Sequence, residues 1–280
     1  PAAPVRVRLP VHREGQMTGL HQEKAAAAVR TSGDYGLAVD LGSTTIASSL
    51  VSLSDGTVLD SASAVNRQRT FGADVVSRIA AACDGQADEL QKLAMDSIEE
   101  VLHKLLAPYP GMRQQLRRMT LAGNTTMEHL LMGWSCKGLG SWPFQPVSLG
   151  GVTLPAAELF GRGLPDSCML TILPGFSTYV GADIASGLIA CSMDQSDTNS
   201  LFLDLGTNGE MALGNGDGIF VASTAAGPAL EGGQLRCGMS SVPGAVCSVT
   251  WNESGPVVRT IGDISPRGLC GTGVIEAMAG

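Results

Sequence analysis

The 280-residue chain carries 18 Lys and Arg against 26 Asp and Glu, a formal charge of −8 at neutral pH, with 44% hydrophobic and 16% charged residues. That apolar content builds a sizeable core and excludes intrinsic disorder, and an acidic chain without a long basic run argues against a nucleic-acid surface. No apolar stretch reaches the ~20 residues of a membrane-spanning helix, and the length fits about two domains or lobes.

Residues 1–34 are polar, contain Pro1, Pro4 and Pro10, and read as a linker or as the end of a preceding domain. No initiator Met opens them, so a domain outside this segment is expected before them. At Tyr35 the character changes. Residues 36–41 form a short apolar strand that carries Asp40 near its end, Gly42-Ser43-Thr44-Thr45 is a tight polar turn, and residues 46–53 return as a second strand toward the turn at Asp55-Gly56. The periodicity predicts helices over 74–82 and 87–106. The second places Leu90, Leu93, Ile98, Val101, Leu102 and Leu105 on one face and stops before Pro108 and Pro110. A strand over 119–122 runs into Gly123-Asn124-Thr125-Thr126, with Thr125 or Thr126 expected to cap a helix over 127–132. Residues 133–175, rich in Gly and Pro, read as irregular, and a helix is expected over 180–189.

From Ser200 the opening device returns: a strand over 201–205, a turn at Gly206-Thr207-Asn208-Gly209, a return strand over 210–213 and another turn at 215–218. AVDLGSTTIA aligns with FLDLGTNGEM, so Asp40 matches Asp204, Gly42 matches Gly206 and Ser43 matches Thr207, 164 positions apart. The repeat implies two lobes built to one plan.

The chemistry of one copy is specific. The strand delivers a carboxylate, and the glycine lets the backbone turn its N–H groups outward as a concave nest for an anion, with hydroxyl donors beside it. A carboxylate repels phosphate unless a cation sits between them. Asp40 and Asp204 are therefore expected to hold Mg²⁺ through waters, because Mg²⁺ dehydrates reluctantly. Ser43, Thr44, Thr45, Thr207 and Asn208 are the matching phosphate donors, Gly42 and Gly206 permit close backbone approach, and two such hairpins facing across a cleft would clamp a triphosphate. For one copy alone, an ordinary ligand-free hairpin is the alternative. The second copy, and a third glycine turn at Gly271-Thr272-Gly273 before a helix, weigh against it.

Gly123, Asn124 and Thr125 precede a helix and either meet phosphate or cap that helix. Asp183 either polarises an attacking water or caps its own helix. Gly227, Pro228, Glu231 and Gly232 are expected to border the nucleotide, and Gly271, Thr272 and Gly273 to lie against adenine or ribose. His129 reads as a packed histidine. The seven cysteines contain no C-x-x-C pair and read as reduced, mostly buried thiols of a cytoplasmic protein.

The three turns in this order resemble the acetate and sugar kinase, heat-shock chaperone and actin superfamily. A closer resemblance is to the reductive activators of corrinoid enzymes. It is carried by Asn66-Arg67-Gln68, residues 71–79 (FGADVVSRI), residues 122–127 (AGNTTM) with 129–131 (HLL), Pro143-Phe144, residues 180–184 (VGADI), 223–229 (STAAGPA) with Glu231-Gly232, and 268–273 (GLCGTG). The resemblance implies an α/β, two-lobed, actin-like (ribonuclease H-like) nucleotide-binding fold with mixed sheets. Residues 35–197 would be the first lobe and 198–280 the start of an incomplete second one.

It further implies Mg-ATP binding and hydrolysis, with Asp40, Asp183 and Asp204 as catalytic residues, coupled to reduction of a cobalt(II) corrinoid to cobalt(I) for methyl transfer. The partner would be a corrinoid protein or corrinoid-dependent methyltransferase, the assembly a homodimer, and the iron–sulfur cluster would sit in a domain outside this segment. Arg67 stands where that family's pattern has proline. A small-molecule kinase of the same superfamily, or a non-catalytic module that responds to nucleotide, remain the alternatives.

Overall fold

The computed structural model describes residues 5–7, 33–206, 208–227, 235–239 and 241–279. The chain divides into two compact units. The first lies within Val7–Asp197 and Asn215–Gly218, and the second within Pro1–Arg6, Thr198–Gly214 and Ile219–Gly280, to which the short strand β1 (Val5–Val7) is hydrogen-bonded through its sheet.

The first unit opens with β2 (Tyr35–Leu41), β3 (Thr45–Ser52) and β4 (Val58–Val65), an antiparallel meander. Helix α1 (Val75–Ala81) begins at Asp74, whose carboxylate accepts from the Ser77 N–H at 2.8 Å and the Ser77 hydroxyl at 3.0 Å. The first of these bonds is the main reason the Asp74 pKa falls below its ordinary value. Gly85, at φ +87, separates α1 from α2 (Ala87–Leu106). Helix α2 buries Leu90, Ala94, Ile98, Val101, Leu102 and Leu105 against β3 and β4; Ala94 takes the fully buried seat expected for Leu93. Strand β5 (Leu116–Gly123) then runs parallel to β2, and α3 (Thr125–Met132) and α4 (Lys137–Gly140) follow it.

The stretch expected to be irregular holds regular structure. Strand β6 (Val152–Pro155), helix α5 (Ala156–Phe160) and strand β7 (Met169–Ile172) complete the sheet, with β7 parallel to β5 and β6 antiparallel at the edge. The six-stranded mixed sheet has the order β4-β3-β2-β5-β7-β6. Helix α6 (Ala182–Ala190) lies against β5. The core joins the inward residues of the sheet (Leu37, Val39, Leu41, Ile46, Leu50, Met119, Leu121, Leu170 and Ile172) to α2 and α3.

The second unit repeats the meander as β8 (Ser200–Leu205), β9 (Asn208–Asn215) and β10 (Gly218–Ala225), where Asp204 stands opposite Glu210. A separate three-stranded sheet holds β11 (Ala245–Asn252), β12 (Gly255–Thr260) and β13 (Gly268–Leu269), and α7 (Gly271–Ala279) packs on β11.

The cysteines correct one expectation. All seven are free, but only Cys136, Cys168 and Cys270 are buried, while Cys83, Cys191 and Cys237 are exposed. No described helix is long and apolar enough to cross a membrane.

Leu121 is fully buried between the strands on either side of β5. Leu121→Ala is expected to lower unfolding free energy by about 2–5 kcal/mol. Trp142→Ala, at a side chain 84% exposed, should stay within about 0.5 kcal/mol. Urea titration of both variants checks the contrast.

Candidate active site

Strands β2, β5 and β7 are parallel, so their C-terminal ends share one sheet edge, the usual place for a ligand in open α/β sheets. That edge gathers most of the expected residues of the first unit. Leu41 is in register with Gly123, and Leu121 with Ile172. A Cβ on Gly123 would stand 3.0 Å from the Leu41 carbonyl oxygen. The loop before α6 presses on the same point: a Cβ on Gly181 would lie 2.4 Å from Asn124 Cα and 2.5 Å from the Gly123 oxygen. Thr125 Oγ1 donates to the Ser177 carbonyl at 2.7 Å, tying α3 to that loop. Asp40, Gly42–Thr45, Gly123–Thr125 and Asp183 are thereby placed on one edge.

The turn at residues 42–44 is held by its carbonyls. Asn66 Nδ2 donates to the Gly42 oxygen at 2.9 Å, Arg78 Nη2 to the Ser43 oxygen at 2.6 Å, and the Asn66 N–H to the Thr44 oxygen at 2.9 Å. In a trans peptide the N–H points opposite its C=O. The N–H groups of Ser43 and Thr44 therefore point away from Asn66 and Arg78. A Cβ on Gly42 would fall 2.3 Å from the Thr45 oxygen, so only glycine permits this turn. Asp40 is exposed beside it, and Thr45 opens β3 in register with Val65.

The helix caps differ in detail from the sequence reading. Asn124, not Thr125 or Thr126, caps α3, its Oδ1 accepting from the Met127 N–H at 3.0 Å. Helix α6 starts at Ala182 after Gly181, and Asp183 Oδ1 accepts from the Ile184 N–H at 2.8 Å inside the first turn. His129 is packed, as expected: its Nε2 accepts from the Val147 N–H at 3.0 Å, which leaves Nδ1 as the donor to the Thr125 carbonyl at 2.7 Å. Burial of the ring lowers its pKa, against the opposing bond to Thr125, and it stays neutral.

Sequence reasoning missed Glu128. It is 1% exposed, in the first turn of α3, and its Oε1 has no hydrogen-bond partner among the described residues. Burial first, and the Asp183 carboxylate second, push its pKa up to about 8, partly offset by the Gly123 N–H. A buried carboxyl and a second acid thus stand together at the sheet edge. The signal was an acid one position before a packed histidine on an otherwise apolar helix, but its burial depends on the distant loop at Gly150, whose Cβ position lies 3.1 Å from Glu128 Oε2.

In the second unit, Asp204 ends β8 as an exposed side chain, and the Gly206 N–H donates to the Asn208 carbonyl at 3.0 Å to close the hairpin. Gly271, Thr272 and Gly273 form the first turn of α7 and not a loop before it. A Cβ on Gly273 would meet the Val246 oxygen at 2.0 Å, so close helix packing requires this glycine. Cys270 is buried, and its thiol donates to the Val246 carbonyl at 3.2 Å. Gly227 is described at φ +84, whereas Thr207, Pro228, Glu231 and Gly232 lie outside the described residues. No group of three or more His, Cys, Asp or Glu among the described residues could hold a metal by itself.

A strand–acid–glycine hairpin in each unit, with strands and helices in both, fits the actin-like ASKHA class of α/β folds. Comparison with known families then places it further. Residues 35–196 match the RACo middle region, and residues 198–280 match the C-terminal domain of RACo, the ASKHA domain. The chain belongs to the RACo family.

Among curated relatives, the corrinoid activation enzyme RamQ of Eubacterium limosum is 34% identical over 252 residues, 88% of this chain and 41% of that protein. The [Co(II) methylated amine-specific corrinoid protein] reductase of Methanosarcina barkeri is 28% identical over 77% of this chain and 40% of its own length. A solved reductive activator for corrinoid, iron-sulfur protein superposes with a TM-score of 0.82 at 35% identity, over 89% of this chain and 40% of that one. The chain thus spans about two-fifths of the length of the relatives it matches.

The Glu128 shift has a sign. Between its ordinary 4.5 and about 8 the folded chain keeps a proton that the unfolded chain releases. Its contribution is therefore fully present below pH 4.5 and is lost as pH rises through about 8. Glu128→Gln is expected to flatten the fall in thermal stability across this window and to raise Tm above the parent at pH 8.5, with little gain at pH 5. Calorimetry at the two pH values checks it, and parallel slopes would refute the assignment.

Proposed function

We propose that this chain binds Mg-ATP and uses its hydrolysis to support reduction of a corrinoid protein from cobalt(II) to cobalt(I). The observation that carries the reading is the acid–glycine–hydroxyl hairpin present once in each unit. In the first unit its Ser43 and Thr44 N–H groups are turned away from their protein anchors and free to meet phosphate. Asp40 and Asp204 would each anchor Mg²⁺ through water, and Asp183 would orient the attacking water, with Glu128 beside it. The names of the relatives support the corrinoid substrate. Electrons must arrive from a redox centre, and none of the described residues forms one.

The full chain should bind Mg-ATP in calorimetry and release phosphate slowly, faster with an oxidised corrinoid protein present. With a low-potential reductant, cobalt(I) absorbance should grow only when ATP is supplied. Asp40→Ala and Asp204→Ala should each cut hydrolysis by about 100-fold or more while leaving corrinoid-protein binding intact. A phosphorylated small molecule among the products would instead identify a kinase, and absence of Mg-ATP binding would refute the proposal.

A further inference from the structure

Residues 66–78 carry much of the family resemblance, yet none of them was expected in the site. Asn66, Gln68 and Arg78 are polar and fully buried. Gln68 braces the segment, donating through Nε2 to the Leu90 carbonyl at 2.7 Å, while its N–H donates to Asn66 Oδ1 at 3.0 Å. The Arg67 N–H donates to Ser97 Oγ at 3.1 Å, a bond that proline at this position would lack. Gly72, at φ +150, passes so close to Ser77 that a Cβ would stand 2.3 Å from the Ser77 Cβ. Its carbonyl accepts from Arg78 Nε at 3.1 Å. Arg78 Nη1 reaches Met127 Sδ at 3.3 Å, and Nη2 reaches the Ser43 oxygen at 2.6 Å.

Every one of these Arg78 partners is neutral. A buried cation without a buried carboxylate is costly, and burial draws this guanidinium down from its ordinary value to about 10, still charged at neutral pH. The Asp74 carboxylate that caps α1 partly compensates this charge, and the Arg69 guanidinium opposes it. The guanidinium is held directly behind the turn, at the Ser43 carbonyl.

We propose that Arg78, working with Asn66, is a positioning residue that pre-forms the Gly42–Thr44 turn for the ATP phosphates and places a positive charge behind it. The inference rests on the proposed nucleotide function and deepens it. Asn66 fixes the Gly42 and Thr44 carbonyls, Arg78 fixes the Ser43 carbonyl, and the N–H groups between them stay aligned without a ligand. Phosphate then binds a turn whose ordering is complete before it arrives.

The test titrates Mg-ATP and AMP into the full chain, Arg78→Gln and Arg78→Lys, with Tm measured for each. Arg78→Gln should weaken Mg-ATP about ten-fold or more and leave AMP within about two-fold, because AMP lacks the outer phosphates. Arg78→Lys keeps the charge without the fork and should fall between the two. Equal weakening of ATP and AMP, or unchanged ATP affinity, would overturn the proposal, as would failure of both variants to fold, which would give Arg78 to the core alone. A parent chain that does not bind Mg-ATP would overturn the nucleotide reading itself, whatever the variants do.

Discussion

Backbone donors can be offered to a ligand only if the matching carbonyls are satisfied elsewhere. Three consecutive carbonyls, those of Gly42, Ser43 and Thr44, meet this condition through Asn66 and Arg78. An unpaired polar group away from water costs about as much as a lost hydrogen bond, so the turn is stable in one orientation and not in its flipped form. Much of the first unit serves this arrangement. Asn66 is braced by Gln68, whose own Nε2 donates to the carbonyl of Leu90 on α2. Arg78 is presented by α1, whose start is fixed by Asp74. Beneath the turn, β2 is hydrogen-bonded to both β3 and β5.

The same economy explains the glycines of the site. Gly123 sits under the Leu41 carbonyl, and Gly181 lies against Asn124. Both omit a side chain because two backbones share the space, which brings the first turn of α6 to the end of β5. Asp183 therefore reaches the sheet edge by backbone packing, without a long flexible arm. Glu128 is buried there as a consequence. Its position in the first turn of α3 points it under the loop at Gly150, where desolvation and Asp183 both favour its neutral form. A proton is thus held beside the acid expected to orient water, at an edge otherwise lined by main-chain donors.

Sequence patterns made visible what depends on short-range periodicity. The repeated hairpins, the apolar face of α2 and the breaks at Pro108 and Pro110 are local, and each appears where its residues predict it. Strands β6 and β7 were invisible because each has four residues, too few to establish alternation, among Gly and Pro. The cap of α3 was misread because Asn124, Thr125 and Thr126 are all able caps, and only the backbone direction set by β5 and Gly181 selects Asn124. Gly271-Thr272-Gly273 resembled a loop by composition, yet packing on Val246 makes the helix start there. The roles of Asn66, Gln68 and Arg78 were illegible for a different reason: their partners lie 24, 22 and 35 positions away, so the motif is conspicuous in the sequence while its purpose exists only in three dimensions.

The two hairpins share a plan but not a set of restraints. In the first, β2 has a strand on each side, and its turn is anchored by side chains from the segment that follows β4. In the second, among the described residues, β8 pairs with β9 alone and forms the end of its sheet, exposing Leu201, Leu203 and Leu205. Asp204 faces Glu210 across the ladder, where Asp40 faces Ala47. Two like charges opposite each other disfavour the empty hairpin, and a divalent cation would relieve that repulsion. The first hairpin is thus ordered by contacts from the segment after β4, whereas the second sets two acids opposite each other across its strands.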